Sequence, residues 1–266
     1  MIEFGGEALV LTHDAMAEGV HFLKTQDPAD VAWKLVAVNM SDLAAKGAEP
    51  LGVLLGYMLG AGDARFLAGL EEALDHYAVP LLGGDTIGGT GPAVHGLTAI
   101  GRATHRPVPS RSGVRIGDSL WITGPVGGAM LGLEALQAGG TADQAATLAY
   151  RRPQALLAQG RALAPMVTAM MDVSDGLLLD AARMARASGV TLALDGTSVP
   201  VAAPETRRGD ALRWGEDYQL LFSMPGDVVP PVEAFRIGEA RPAGGDPILL
   251  DGQALNETDK LGFQHH

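Results

Sequence analysis

The chain has 266 residues, of which 47% are hydrophobic and none is cysteine, and a formal net charge of −12. That length carries one large domain or two of ordinary size around a substantial core. The absence of cysteine excludes disulfides, thiolate metal sites and cysteine nucleophiles, and fits a reducing cytoplasm. The negative charge argues against nucleic acid or an anionic membrane as a partner, and neither an apolar run of about 18 residues nor a signal-peptide pattern occurs.

Taken in order, EALVLTH reads as a strand, and PADVAWKLVAVNMSDLAAKG carries apolar residues at helical spacing up to Gly47, a plausible C-cap. PLGVLLGYML predicts a strand, DARFLAGLEEALDHY a helix stopped before Pro80, and VPLLGG and AVHGLTAIGRA two further strands. RATHRPVPSRSG is proline-rich and breaks both periods, so it predicts a linker and a boundary near residue 108. Beyond it, DSLWITG predicts a strand, GGAMLGLEALQAG and RPQALLAQGRALAPM helices, and TAMMDV a strand. SDGLLLDAARMARASG predicts a helix capped by Ser174 or Asp175, and residues 190–194 and 217–223 predict strands. The pattern is α/β or α+β in two halves, 1–108 and 109–266, with no repeat of 20–50 residues.

Acidic residues recur at the ends of apolar elements: Asp14 after ALVLTH, Asp42 in NMSDLAAKG, Asp85 in LLGGDTIGG, and Asp172 and Asp175 in DVSDG. A carboxylate just past a buried strand sits where α/β proteins form ligand crevices. Any one of them alone reads more readily as a cap or turn residue; five in a chain with few other polar clusters weaken that reading. If the substrate is a phosphate, carboxylate-held metal ions would offset the repulsion from an anionic protein. Gly83 and Gly84 allow close backbone approach to a phosphate. No GxxxxGK[ST] occurs, and TGPVGGAMLG lacks the spacing of a dinucleotide fingerprint, which leaves Gly127 and Gly128 as helix-start residues. His76 and His95 lack ligand-spaced partners and read as structural. Ser174 has no GxSxG elbow around it, and the Arg151–Arg152 pair reads as a solvated helix entry.

The segments HDAMAEGVHF, AVNMSDLAAKGAEP, LLGGDT, RSGVRIGDSLWITGP, MDVSDGLLLD and GEDYQLLFSMP occur in that order from about residue 9 to the C-terminal region. Together they resemble the thiamine-monophosphate kinase family, part of the superfamily that includes aminoimidazole ribonucleotide synthetase. The resemblance implies a two-domain fold: an N-terminal domain whose sheet joins that of a second copy in a shared β-barrel, making a homodimer, and a C-terminal α/β sandwich. It implies that ATP and thiamine monophosphate bind between the domains and that a phosphoryl group passes directly from one to the other. Carried over by motif, Asp14, Asp42, Asp85, Asp172 and Asp175 match magnesium-binding carboxylates, with Thr12 and His13 beside the first. Asp42, Asp85 and Asp172 are the expected catalytic set. Gly84, Asp85, Arg111 and Ser174 match nucleotide-contacting positions. His21, Glu216 and Phe263 match residues that bind thiamine phosphate.

The acceptor is itself a phosphate with a second pKa near 6, so positioning and charge neutralisation by several Mg²⁺ ions carry most of the expected catalysis without a strong general base. Two departures from the family stand out. A GDDAA-like segment that bears a further metal-binding aspartate in the family lies before the point where this sequence starts. His13 also stands where Thr or Ser is usual, so a contact through its backbone carbonyl would survive and one through a hydroxyl would not. A metal- and nucleotide-binding homodimer with little turnover is the competing expectation. Superfamily members that rely on cysteine chemistry do not fit.

Overall fold

The computed structural model describes residues 1–141 and 144–264. Its organising element is helix α1 (Pro28–Ala44), opened by Asp27, whose side chain accepts from the Ala29 N–H at 2.9 Å, with Pro28 in the first turn. The helix is buried on nearly every side, polar residues included, as a helix covered all round must be. One face lies on the N-terminal sheet. Its C-terminal end, at Ala44 and Ala45, packs with Met170, Leu220, Phe222 and Leu163 of the second half.

The N-terminal sheet contains β1 (Ile2–Phe4), β2 (Glu7–Ala17), β3 (Ala48–Met58), β4 (Leu81–Ile87) and β5 (Val94–Ala103), in the order β1-β2-β5-β3-β4. β3 and β4 are parallel, and the crossover between them is helix α2 (Asp63–His76). Alternation along the strands turns Val10, Val53 and Leu55 toward α1, and Leu11 and Leu54 away from it. His95 lies among Phe22, Tyr57 and Phe66 in this core, a structural histidine as its spacing implies.

The second half forms a seven-stranded sheet from β6 (Ser119–Ile122), β7 (Ala169–Asp172), β8 (Thr191–Leu194), β9 (Leu220–Met224), β10 (Phe235–Arg241), β11 (Ile248–Leu250) and β12 (Gln253–Leu255), in the order β12-β11-β8-β10-β6-β9-β7. Helices α3 (Gly128–Gln137), α4 (Leu148–Arg151), α5 (Leu157–Leu163) and α6 (Leu177–Ser188) accompany it. Gly127 opens α3 with φ +86, as a helix-start residue should. Among the described residues no helix is long and apolar enough to cross a membrane.

Several expectations need correction. The helix expected over 152–166 is confined to Leu157–Leu163, because Pro153 interrupts its start and Pro165 follows its end. Arg151 and Arg152 are not a solvated entry: Arg151 is buried, and both guanidinium groups pair with Asp30 in the first turn of α1. The strand expected from residue 217 starts at Leu220, since Glu216 and Tyr218 have positive φ (67° and 51°) that extended backbone excludes. Neither Ser174 nor Asp175 caps α6. The cap position is Gly176, which makes no side-chain bond.

Candidate active site

A cleft of about 610 Å³ lies where α1, the end of β2 and the loops after β7 and before β9 meet. Asp14, Asp42, Asp172 and Asp175 line it together with Met16, Val20, Leu133, Trp214 and Phe263, and His21, Lys34 and Glu216 are also on its wall. Helix geometry explains part of this convergence. Lys34, Val38 and Asp42 are four residues apart on α1 and form a single stripe facing the cleft. Thr12, Asp14 and Met16 share the α1-facing side of β2 by two-residue alternation.

The carboxylates are held by short-range partners. Asp42 accepts a hydrogen bond from the Thr12 hydroxyl, and the Asp14 N–H donates to Asn39 Oδ1 at 3.1 Å. Ser41 donates to Asp172 Oδ2 at 2.6 Å across the junction between the two halves. The DVSDG loop is fixed from below by Asp180, a fully buried carboxylate that accepts from the N–H groups of Ser174 and Asp175, each at 3.0 Å. Arg183 bridges Asp175 and Asp180. Gly176 is obligatory at this bend: φ is +115°, and a Cβ would stand 2.5 Å from the Arg213 carbonyl oxygen. From above, the Phe263 N–H donates to the Asp175 carbonyl at 2.8 Å, which ties the C-terminal loop to the same turn.

In GEDY each residue has a separate task. Glu216 faces Lys34 at 2.7 Å, and its N–H donates to the Ser174 carbonyl at 2.8 Å. Asp217 accepts from the N–H groups of Gly127 (2.7 Å) and Ala129 (3.1 Å), so it holds the N-terminus of α3. Tyr218 is buried in the N-terminal core cluster.

Electrostatically the carboxylate cluster is loaded. Burial, reinforced by the Asp42 carboxylate and then by Asp175, pushes Asp14 up to about 6. Burial, with the Asp42 charge added and the Ser41 hydroxyl opposing, pushes Asp172 up to about 7. In both, burial is the larger cause and a neighbouring carboxylate adds to it. Among the described residues, however, no three His, Cys, Asp or Glu side chains close into a ready-made ion cage. Such a site matches an ion that takes one or two carboxylates and completes its shell with water and ligand phosphates, the habit of Mg²⁺.

Of the residues singled out by sequence, Asp14, Asp42, Asp172, Ser174, Asp175, His21, Glu216 and Phe263 line this one cleft, and Thr12 touches Asp42. His13, Gly84, Asp85 and Arg111 do not line it. The His13 side chain is on the opposite face of β2, bonded to Thr98 Oγ1 at 2.9 Å, so only its backbone is available to the Asp14 side. Gly84 and Asp85 lie on β4, which is exposed along its whole length. Gly84 is required there, because a Cβ would stand 2.0 Å from the Leu55 carbonyl oxygen. Sequence reading passed over Lys34, Asp180 and Trp214. It also passed over Lys46, whose pKa burial lowers while the Asp172 and Asp42 charges raise it. The four-residue spacing of Lys34, Val38 and Asp42 is the signal that could have exposed the first.

Comparison with known proteins is consistent with this geometry. The AIR synthase related protein N-terminal domain matches residues 1–103, and the C-terminal domain of the same description matches residues 115–239. A thiamine-monophosphate kinase of Salmonella typhimurium is 35% identical over 278 residues, covering 97% of this chain and 82% of the relative. A solved structure of thiamine-monophosphate kinase from Stenotrophomonas maltophilia superposes with a TM-score of 0.86 at 32% identity, covering 94% of this chain and 87% of that one. AaThiL complexed with AMPPCP and TMP superposes with a TM-score of 0.87 at 29% identity, over 96% of this chain and 87% of the other.

Proposed function

We propose that this chain, which belongs to the thiamine-monophosphate kinase family, transfers the γ-phosphoryl group of ATP to the phosphate of thiamine monophosphate, giving thiamine diphosphate and ADP. One observation carries the reading: a single cleft combines four carboxylates with an aromatic and apolar lining that includes a glutamate. The first suits metal-bridged phosphates, and the second suits a cationic heteroaromatic ring system. The AaThiL complex with AMPPCP, an ATP analogue, and TMP supports the pairing of substrates.

The residues divide the work as follows. Asp14, Asp42, Asp172 and Asp175 would hold Mg²⁺, with Asp85, the Thr12 hydroxyl and the His13 carbonyl as further candidates. The ions, when bound, neutralise charge on the phosphates and on the group in transfer. Ser174, Gly84, Asp85 and Arg111 are assigned to the nucleotide by motif. Lys46 lies within electrostatic reach of Asp172, Asp42 and Arg111 and adds positive charge on that side. His21, Glu216 and Phe263 are assigned to thiamine monophosphate, with Phe263 as the stacking surface. Asp180 and Arg183 keep the DVSDG turn in place. Transfer is in line between the two substrates. The acceptor phosphate is mostly ionised at neutral pH, so orientation and electrostatics suffice, and no protein group need be phosphorylated.

The homodimer belongs to the same proposal. The face of the N-terminal sheet away from α1 exposes Leu11 and Leu54, and the β4 strand exposes Leu81, Leu82 and Ile87. An apolar face beside an open edge strand needs cover. A second copy of residues 1–108 would supply it by continuing the sheet into a barrel, leaving 109–266 to close the cleft. A cysteine-free chain suits the reducing cytoplasm in which we place the activity.

The test is product analysis with purified protein, ATP, thiamine monophosphate and Mg²⁺. ADP and thiamine diphosphate should appear in equal amounts and vanish under EDTA. Nucleotide binding without thiamine diphosphate would replace this reading with the non-catalytic one.

A further inference from the structure

Lys34 is buried inside α1 at 1% exposure, yet it belongs to the wall of the cleft. Its ammonium lies 2.7 Å from Glu216 Oε1, donates to the His21 carbonyl at 2.9 Å, and lies 3.8 Å from the centre of the Tyr150 ring. Tyr150 Oη donates to that same His21 carbonyl at 3.2 Å. One cation therefore joins four pieces of chain: α1, the turn after β2, α4, and the loop before β9.

An ammonium has three N–H bonds. Here two are directed at oxygens and the aromatic face covers the remaining approach, so this lysine has nothing left to offer an incoming phosphate. Burial lowers the pKa of this ammonium, and the Glu216 carboxylate opposes that. The dependence runs both ways. Glu216 sits on strained backbone, with φ +67°, and its side chain is only about a fifth exposed (22%). An ion pair this enclosed is retained where it fixes geometry, since equal packing by apolar groups would cost less.

We propose that Lys34 is a positioning residue for substrate selection. By holding Oε1 of Glu216 it turns the second oxygen into the cleft as an acceptor for an amino group on the heteroaromatic end of the substrate. Through the His21 carbonyl it also fixes the turn that carries the imidazole. The inference rests on the thiamine monophosphate reading above, whose heteroaromatic end carries such an amino group.

The experiment compares wild type with Lys34→Met and with the charge-free pair Lys34→Met/Glu216→Gln. Each is assayed with thiamine monophosphate and with an analogue in which hydrogen replaces the ring amino group. Wild type should prefer the amino substrate, because a charged acceptor left without its donor costs roughly ten- to a hundredfold in affinity. In Lys34→Met, KM for thiamine monophosphate should rise by at least tenfold while KM for ATP and kcat stay within about threefold, and the preference over the analogue should collapse. If the single variant does not fold, the pair, which leaves no unmatched buried charge, should show the same lost preference. A preference kept at the wild-type level in either variant, or a loss confined to kcat, would overturn the proposal. Absence of thiamine diphosphate formation by wild type would instead remove the functional reading, and this inference with it.

Discussion

Replacing Asp180 by alanine should damage a site that Asp180 does not line. Its carboxylate is fully buried and satisfies two backbone N–H groups, those of Ser174 and Asp175, at 3.0 Å each, besides pairing with Arg183 at 2.8 Å. A buried donor left without a partner costs about 1–3 kcal/mol, and two lose theirs here; Arg183, about a third exposed, still pairs with Asp175 and adds little. These overlap rather than add, and two effects work against them. Burial pushes Asp180 up to about 6, so its charge is not cheaply held, and alanine gains roughly 0.7 kcal/mol in helix propensity over aspartate. A net loss of about 3 kcal/mol is expected, read as a lower denaturation midpoint in urea. Turnover should fall by more: a displacement of about 1 Å in a reacting constellation can cost roughly a hundredfold, and here Ser174 and Asp175 both lose their anchor. Asp180→Asn retains one carbonyl acceptor and should lose about 1 kcal/mol. An Asp180→Ala protein with the wild-type midpoint and wild-type turnover would refute the claim that this carboxylate holds the turn.

Asp172→Asn and Asp175→Asn should each reduce phosphoryl transfer by at least a hundredfold while circular dichroism stays native, because each removes a charged oxygen where the phosphates must be neutralised; full activity in either would return these residues to structural roles. Stability without divalent ions should fall as pH rises from about 4 to about 7. Asp14 and Asp172 have folded-state values raised to about 6 and about 7, so protonation favours the fold below that window and the benefit is lost on passing through it. His95, lowered by burial, pulls the other way, which makes Asp172→Asn the control: melting temperature against pH should flatten, and an unchanged slope would dissociate it from Asp172. Leu54→Glu on the exposed sheet face should convert a dimer into a monomer by sedimentation without unfolding it, since Leu54 is exposed and lies outside the N-terminal core cluster; a wild type already monomeric at micromolar concentration would contradict the proposed interface.

Much of this was legible in the sequence where polarity and apolar periodicity conflict. Asp172 ends a strand whose other residues are apolar, and Asp42 lies in the last turn of a largely apolar helix, so both stand out. What escaped notice depends on contacts made only in the folded chain. Asp180 looked like an ordinary first-turn acid, and nothing local says that it reaches back to Ser174 and Asp175. Lys34 looked like the polar break in an amphipathic pattern. Its role appears only when Glu216, far along the chain, arrives beside it. The strand β10, FRIGEAR, went unread because its charged residues and Gly238 dilute the alternation. There Gly238 passes 2.1 Å, measured from the Cβ it lacks, from the Ala193 carbonyl oxygen in the neighbouring strand.

The most direct test of direct transfer uses ATP with a stereochemically labelled γ-phosphorus and thiamine monophosphate as acceptor. In-line transfer between two substrates in one cleft predicts thiamine diphosphate that carries the label on its terminal phosphorus with configuration inverted. Retention of configuration, or label left on the protein, would show that a group of the chain intervenes and would contradict the account.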